Sequence, residues 1–331
     1  MRLLGLSSNR SWNYQLGESK SQLQKTLYEK TPYATGSEQT VRAYQDQWNR
    51  MHIRWRDAEC LEERADKYNS KLHEKQRWER GVMARNNKKD LDELKKKVAL
   101  GNRIMFHQGL ADYHGHVSAR IPGTRKFLIK PVLAPLGEIS SKDIILVDID
   151  EYMEVCEENY ARAGNQRSVT KLKNPPRETM IHAAIYAARS DVNSVVHTHQ
   201  SLATAFSVAG TPILPIYNQA AVFAPETPIF PSPRLIYTVQ DGKEVCQTLG
   251  DRMAMLLKGH GVIVCGDSLE YATVHAIYLE RTAHMQFVAS CVGKPTVMPQ
   301  QDIDYMKENM TYRAYDAFAY FKSLLPKGIR L

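Results

Sequence analysis

The sequence predicts an α/β fold preceded by a helical extension, and three observations carry that prediction. Short runs of β-branched and apolar residues, such as Phe127-Leu128-Ile129 and Val262-Ile263-Val264, alternate with longer segments whose apolar residues recur at helical spacing. The chain is 43% hydrophobic, yet no stretch approaches the roughly 18 uncharged residues that a membrane helix needs. The charge is lopsided. Residues 1–100 hold 21 of the 44 basic and 14 of the 36 acidic side chains, an excess of seven, which leaves 23 against 22 in the remaining 231. The basic balance therefore belongs to the N-terminal third, and the rest of the chain offers no nucleic-acid surface. A length of 331 residues leaves room for two domains, or for one large domain with an appendage.

Residues 1–88 read as that appendage. Within it, 41–85 has few glycines or prolines and mixed-sign charges, which predicts helix, and all four tryptophans (Trp12, Trp48, Trp55, Trp78) lie here. Large aromatics at that density argue for packing, as an arm against a neighbouring subunit or against the chain's own body. A nucleic-acid arm is the weaker alternative, because acids are interleaved throughout.

The body, residues 89–331, opens with an amphipathic helix from Asp90 to near Gly109, with Leu91, Leu94, Val98 and Met105 on one stripe. Leu100 and Ile104 fall off that stripe and Gly101 weakens its middle. The stretch Tyr113–Arg120 reads as a Gly-containing turn leading into a short strand, and Phe127–Ile129 and Ile144–Asp148 read as further strands. Residues 151–176 read as an irregular connection. A helix over 177–189 is launched by Pro175 and Pro176 and carries Ile181, Ala184, Ile185 and Ala188 on one face. A strand ending in His197 and His199 follows, then a helix from Ser201 to Val208, a Pro-rich stretch over 213–238, and a helix over 243–257. Residues 258–264 form a turn entering a buried strand. Ser268 caps a long helix to Ala289, and 302–324 is a last helix rich in Tyr and Phe.

The five cysteines (Cys60, Cys156, Cys246, Cys265, Cys291) are scattered, odd in number and never paired as C-x-x-C. That usage predicts reduced thiols in a cytoplasmic protein. The opening Met1–Leu6 run is too short for a signal peptide, and no membrane or nucleic-acid partner is expected.

The stretch Ser194-Val195-Val196-His197-Thr198-His199 carries the chemistry. Side chains two apart on a strand share a face, so His197 and His199 form half of a metal site on a stiff backbone. His260, between Gly259 and Gly261, is the best third ligand, since flanking glycines allow a tight turn and close approach of an ion. Glu178 is the natural carboxylate partner, at the start of the helix that runs back into the histidine strand. Taken singly, His260 is as well explained by a solvated turn, and Glu178 by a helix-start acid favoured by the dipole. His182, His275 and His284 lie in helical patterns and read as packing or surface groups, while His107 and His114 flank a turn.

Three separated motifs, GHVSAR at 115–120, PPRETMIHAAIYAARSDVNSVVHTH at 175–199 and LLKGHGVIVCG at 256–266, resemble the class II aldolase/adducin family of metal-dependent lyases. The resemblance covers residues 90 to about 295. It implies a three-layer α/β/α sandwich around a mainly antiparallel sheet, and a homotetramer with active sites between subunits. It also implies His197, His199 and His260 as ligands of one divalent ion (Zn, Mn or Fe), with Glu178 as the acid/base. Sugar-phosphate aldolases of this family carry Asn where this chain has His116, and Ser-Ser where it has Pro176-Arg177, so a phosphorylated sugar is disfavoured. An arginine at that place suits a planar carboxylate. The GHVSAR form, including Ser118, resembles a branch containing aromatic-acid decarboxylases and a proposed iron-dependent oxygenase.

The expected activity is carbon–carbon cleavage next to a carbonyl, enol or phenol, with decarboxylation of a small organic acid first and retro-aldol cleavage second. Glu178 would move the proton, His116, Ser118 and Arg177 would line the substrate pocket, and Tyr312 or Tyr315 (with Tyr320 behind them) would donate a proton. An Fe(II)/O2 oxygenase on the same ligands and a non-enzymatic adducin-like module are the alternatives.

Overall fold

The strands of this chain are short, and what makes them a sheet is that each presents apolar side chains to both faces. The computed structural model describes residues 88–163 and 175–326; the helix expected over 41–85 lies outside them. The elements are α1 (Lys88–His107), β1 (His116–Arg120), β2 (Lys126–Ile129), β3 (Ile145–Asp148), α2 (Ile149–Ala163), α3 (Thr179–Ala188) and β4 (Ser194–Thr198). They continue with α4 (Ser201–Val208), a 3-10 turn (Asn218–Phe223), β5 (Ile229–Phe230), α5 (Val239–Leu249), β6 (Ala254–Leu257), β7 (Gly261–Gly266), α6 (Leu269–Val292) and α7 (Gln300–Ser323).

The seven strands run in the order β3-β2-β1-β4-β7-β6-β5. Every pair is antiparallel except β5 with β6. Alternation along each strand then sorts the side chains into two cores. Val117, Leu128, Val196, Val262 and Val264 join α1, α6 and α7 on one face. Phe127, Ile129, Val195, Ile263 and Cys265 join α2, α3 and α5 on the other. This is the α/β/α sandwich that the resemblance implied. Each fully buried Val, Leu or Ile contributes about 1.5–3 kcal/mol, so a one-residue slip of β4 would exchange its faces at a large cost. That register also aims His197 at the α3 side.

Four expectations need correcting. Residues 151–176 are not irregular throughout, because α2 occupies their first half and buries Ile149, Tyr152 and Cys156 at helical spacing. The helix expected over 243–257 is a helix and then a strand. Thr238 and Asp241 form a capping box that starts α5 early, Gly250 ends it at φ 56°, and the wholly buried Ala254–Leu257 run becomes β6. Leu100 and Ile104 are buried along with the α1 stripe, because α1 packs against the sheet and α6 together. Gly101 lies where a Cβ would meet Val117 at 3.2 Å and Thr273 at 3.3 Å, so it permits close packing instead of weakening the helix. Ala188, placed on the apolar face of α3, is exposed at the end of that helix. The capping of α6 by Ser268, which accepts from the Tyr271 amide, follows the sequence expectation.

Candidate metal centre

Glu178 sits at the N-cap position of α3 but makes no capping hydrogen bond. Its Oε1 instead accepts from the Ile236 amide at 2.9 Å, which turns Oε2 toward the histidines. His197, at the end of β4, donates from Nδ1 to the Val262 carbonyl at 2.9 Å. A carbonyl can only accept, so the Nδ1 proton is assigned and Nε2 is left with a lone pair. That Nε2 lies 3.0 Å from Nε2 of His199 and 3.6 Å from Glu178 Oε2. His260 Nε2 reaches the same oxygen at 3.2 Å.

One ligand atom from each of Glu178, His197, His199 and His260 falls within 4.8 Å of all the others. The donors of a tetrahedral ion bound at 2.0–2.2 Å stand roughly 3.3–3.6 Å apart, a spacing that the observed 3.0, 3.2 and 3.6 Å bracket. Three histidine nitrogens and a carboxylate oxygen at such separations fit a divalent cation, and the donor set suits zinc, manganese or iron.

The glycines around His260 do different jobs. Gly259 adopts φ 65°, which an L side chain strains to reach, while a Cβ on Gly261 would fall 2.4 Å from the Thr198 carbonyl and 2.9 Å from the His199 ring. Strand β4 can therefore approach β7 closely enough to bring the rings of His199 and His260 within 5.0 Å. Burial opposes the charge on Glu178, but the contacts with His197 and His260 outweigh it and hold the carboxyl well below the usual carboxylate range. Burial, reinforced by the neighbouring imidazoles, pushes His199 down to about 3, so this ring is neutral at physiological pH.

The other residues singled out in the sequence are dispersed. His116 is buried beside His197, with ring centroids 5.1 Å apart, and its Nδ1 is committed to His182 at 2.6 Å. Ser118 is fully buried behind it, its hydroxyl engaged by His182 and Tyr186. Arg177 is exposed next to Glu178. Tyr315 is 42% exposed on α7, whose main neighbours are α6 and the 3-10 turn; the side chain of Tyr312 lies outside the described residues.

Sequence reasoning missed three groups here. His182, read as a packing residue, bridges His116 and Ser118; the polar i, i+4 pair His182 and Tyr186 on an otherwise apolar helix was the available signal. His114 stacks on His199 at 5.4 Å. Lys130 is buried, its ammonium donates to the Pro131, Val132 and Ala134 carbonyls, and burial pushes it down to about 8.

A layered α/β fold that gathers three imidazoles and one carboxylate at the end of a central strand defines a candidate metalloprotein. Residues 96–287 match the family described as Class II Aldolase and Adducin N-terminal domain, and the chain belongs to that family. It is similar to a 3,4-dihydroxyphthalate decarboxylase of Arthrobacter keyseri, 31% identical over 219 residues that cover 62% of this chain and 83% of the other. The decarboxylase NovR of Streptomyces niveus is 30% identical over 172 residues, covering 52% of this chain and 59% of its own. Among solved structures, an L-fuculose 1-phosphate aldolase from Glaciozyma antarctica PI12 superposes with a TM-score of 0.59 at 20% identity, over 73% of this chain and 93% of that one, a likeness of fold.

Proposed function

We propose that the protein is a divalent-metal-dependent lyase that breaks a carbon–carbon bond, with decarboxylation of a hydroxy-aryl or keto organic acid as its reaction. The convergence of four ligand atoms within 4.8 Å carries this reading, and the named activities of the two decarboxylases support the reaction type. In it His197, His199 and His260 hold the ion, whose Lewis acidity stabilises the electron pair left on the substrate when CO2 departs. Glu178, its Oε1 held by the Ile236 amide, points Oε2 into the cluster of imidazoles, where it receives and returns the proton. Arg177 grips the substrate carboxylate, His116 donates to a substrate oxygen, and Tyr312 or Tyr315 serves as a proton donor. Retro-aldol cleavage is the neighbouring chemistry on the same ligands. The reading also takes the assembly to be a homotetramer, as the family resemblance implied, in the cytoplasm, as the cysteine usage suggested.

The test is elemental analysis of freshly purified protein, then incubation with a panel of hydroxy-aryl and keto acids. Stoichiometric zinc, manganese or iron with release of CO2 is the expected result. Aldehyde release moves the reaction to aldol cleavage, and oxygen consumption by the iron form alone moves it to the oxygenase. Absence of any bound transition metal overturns the enzyme reading and favours an adducin-like module.

A further inference from the structure

The three imidazoles of the candidate centre are not held alike. The ladder between β4 and β7 ends with Thr198 opposite Val262, so His199 lies one residue beyond the paired backbone. Its ring packs against those of His114, His197 and His260. Among the described residues it has no carbonyl partner of the kind that fixes Nδ1 of His197. His260 sits in a turn, after a glycine at φ 65°. Both rings therefore take their places from whatever holds the two loops.

Helix α4 holds both. At its start the N-cap residue Gln200 makes no capping hydrogen bond. Its side-chain oxygen accepts from Thr198 Oγ1 at 2.9 Å, and its amide donates to the Ala276 carbonyl of α6 at 3.2 Å. The capping carboxylate comes from α6 as well. Glu280 Oε1 accepts from the Leu202 amide at 2.8 Å and Oε2 from the Ala203 amide at 2.9 Å. These are the amides that an N-cap side chain ordinarily serves, and the helix dipole favours an anion there. A carboxylate that commits both oxygens to one helix end fixes its orientation as well as its position.

At the other end of α4, the fully buried Ser207 grips the His260 turn. Its hydroxyl accepts from the Gly259 amide at 3.0 Å and donates to the Thr204 carbonyl at 2.6 Å, with the Leu257 carbonyl 3.2 Å away. The same Leu257 carbonyl accepts from the His260 amide at 3.0 Å and closes the turn. One short helix thus joins the loop of one imidazole to the loop of another.

We propose that Glu280 and Ser207 are positioning residues, and that α4 is a strut that sets the spacing between His199 and His260. Glu280 acts through the backbone that follows His199, and Ser207 through the backbone that precedes His260. The proposal rests on the metal reading for what the two imidazoles hold, and it does not depend on which bond the protein breaks.

The experiment is titration of the full-length protein with cobalt(II) against a competing chelator. The absorption of bound cobalt reports the arrangement of its ligands without any activity. Glu280→Gln turns an amide group toward a backbone N–H that now meets a carboxylate oxygen, and Ser207→Ala removes the acceptor of the Gly259 amide. Each is expected to weaken cobalt binding roughly 10- to 100-fold, as loss of an outer partner does, and to alter the cobalt absorption at saturation. A role in stability alone would lower the urea midpoint while affinity and spectrum of the folded protein stayed at their wild-type values. That result in either variant overturns the strut. If Glu280→Gln fails to fold, Ser207→Ala decides by the same two readings. Wild-type protein that takes up no cobalt overturns the metal centre and the strut with it, whereas wild-type uptake with unaltered variants overturns the strut alone.

Discussion

His116 and His197 are cross-strand partners, placed opposite each other by the β1–β4 register with their rings 5.1 Å apart. One of the two contributes a ligand atom to the four-residue cluster and the other does not. The difference lies in the outer nitrogen of each ring: that of His197 donates to a backbone carbonyl, while that of His116 belongs to a side-chain network. Identical side chains on one sheet face thus acquire different chemistry from their second contacts.

The clearest consequence concerns metal retention. Replacing His199 or His260 with Ala removes one of four converging donors and should lower metal affinity by at least the roughly 10- to 100-fold seen for lesser changes around such sites. Titration with a competing chelator measures it. Retention of full affinity by both variants would show that these atoms do not share an ion.

Glu178→Gln keeps the shape and leaves an oxygen to accept from the Ile236 amide, but turns an amide toward the imidazole nitrogens. The expected result is a loss of roughly 10^2- to 10^4-fold in kcat, the range for removal of a general acid/base, at substrate and metal concentrations that saturate the enzyme. Steady-state rates with metal content determined in parallel separate the proton-transfer role from simple loss of the ion.

Gly261→Ala should be costly although glycine and alanine differ by one methyl. The new Cβ would fall 2.4 Å from the Thr198 carbonyl oxygen and 2.9 Å from the His199 ring, and the carbonyl belongs to paired backbone that cannot rotate away. A destabilisation of about 1–3 kcal/mol follows from overpacking of this kind, accompanied by weaker metal binding. Urea denaturation with and without metal reads both effects.

His275 predicts part of the pH dependence of stability. Burial pushes this ring down to about 4, against small opposing contributions from the Tyr271 carbonyl and the charge of Asp267. An unfolded histidine titrates near 6.5, so the unfolded state binds the extra proton first as the pH drops. The stability is complete above about 6.5 and is lost as the pH falls toward 4, at up to roughly 1.4 kcal/mol per pH unit. In His275→Phe, whose ring joins Phe223, Tyr271 and Tyr278, the urea midpoint should fall less steeply between pH 6.5 and 5. An unchanged slope would mean that His275 is already charged in the native protein.

Much of this was readable in one dimension. The strand carrying His197, with His199 just past its end, the glycine-flanked His260, the capped helix at Ser268 and most strand positions follow from periodicity and turn chemistry, which are local properties. The errors were local as well: the helical spacing of Ile149, Tyr152 and Cys156 was masked by the loop signals after it, and Ala254–Leu257 was too short to separate from the helix before it.

What no local pattern contains is the closure of distance between residues 178, 197 and 260, or the commitment of His116 to His182. Spacing along the chain showed which imidazoles share a face. Only the antiparallel registers of β4 with β1 and β7, and the packing of α3 across that face, decide which of them meet and which nitrogen each presents. Hydrogen-bond partners and lone-pair directions are settled by contacts between segments far apart in sequence, and those exist only once both faces of the sheet have been buried.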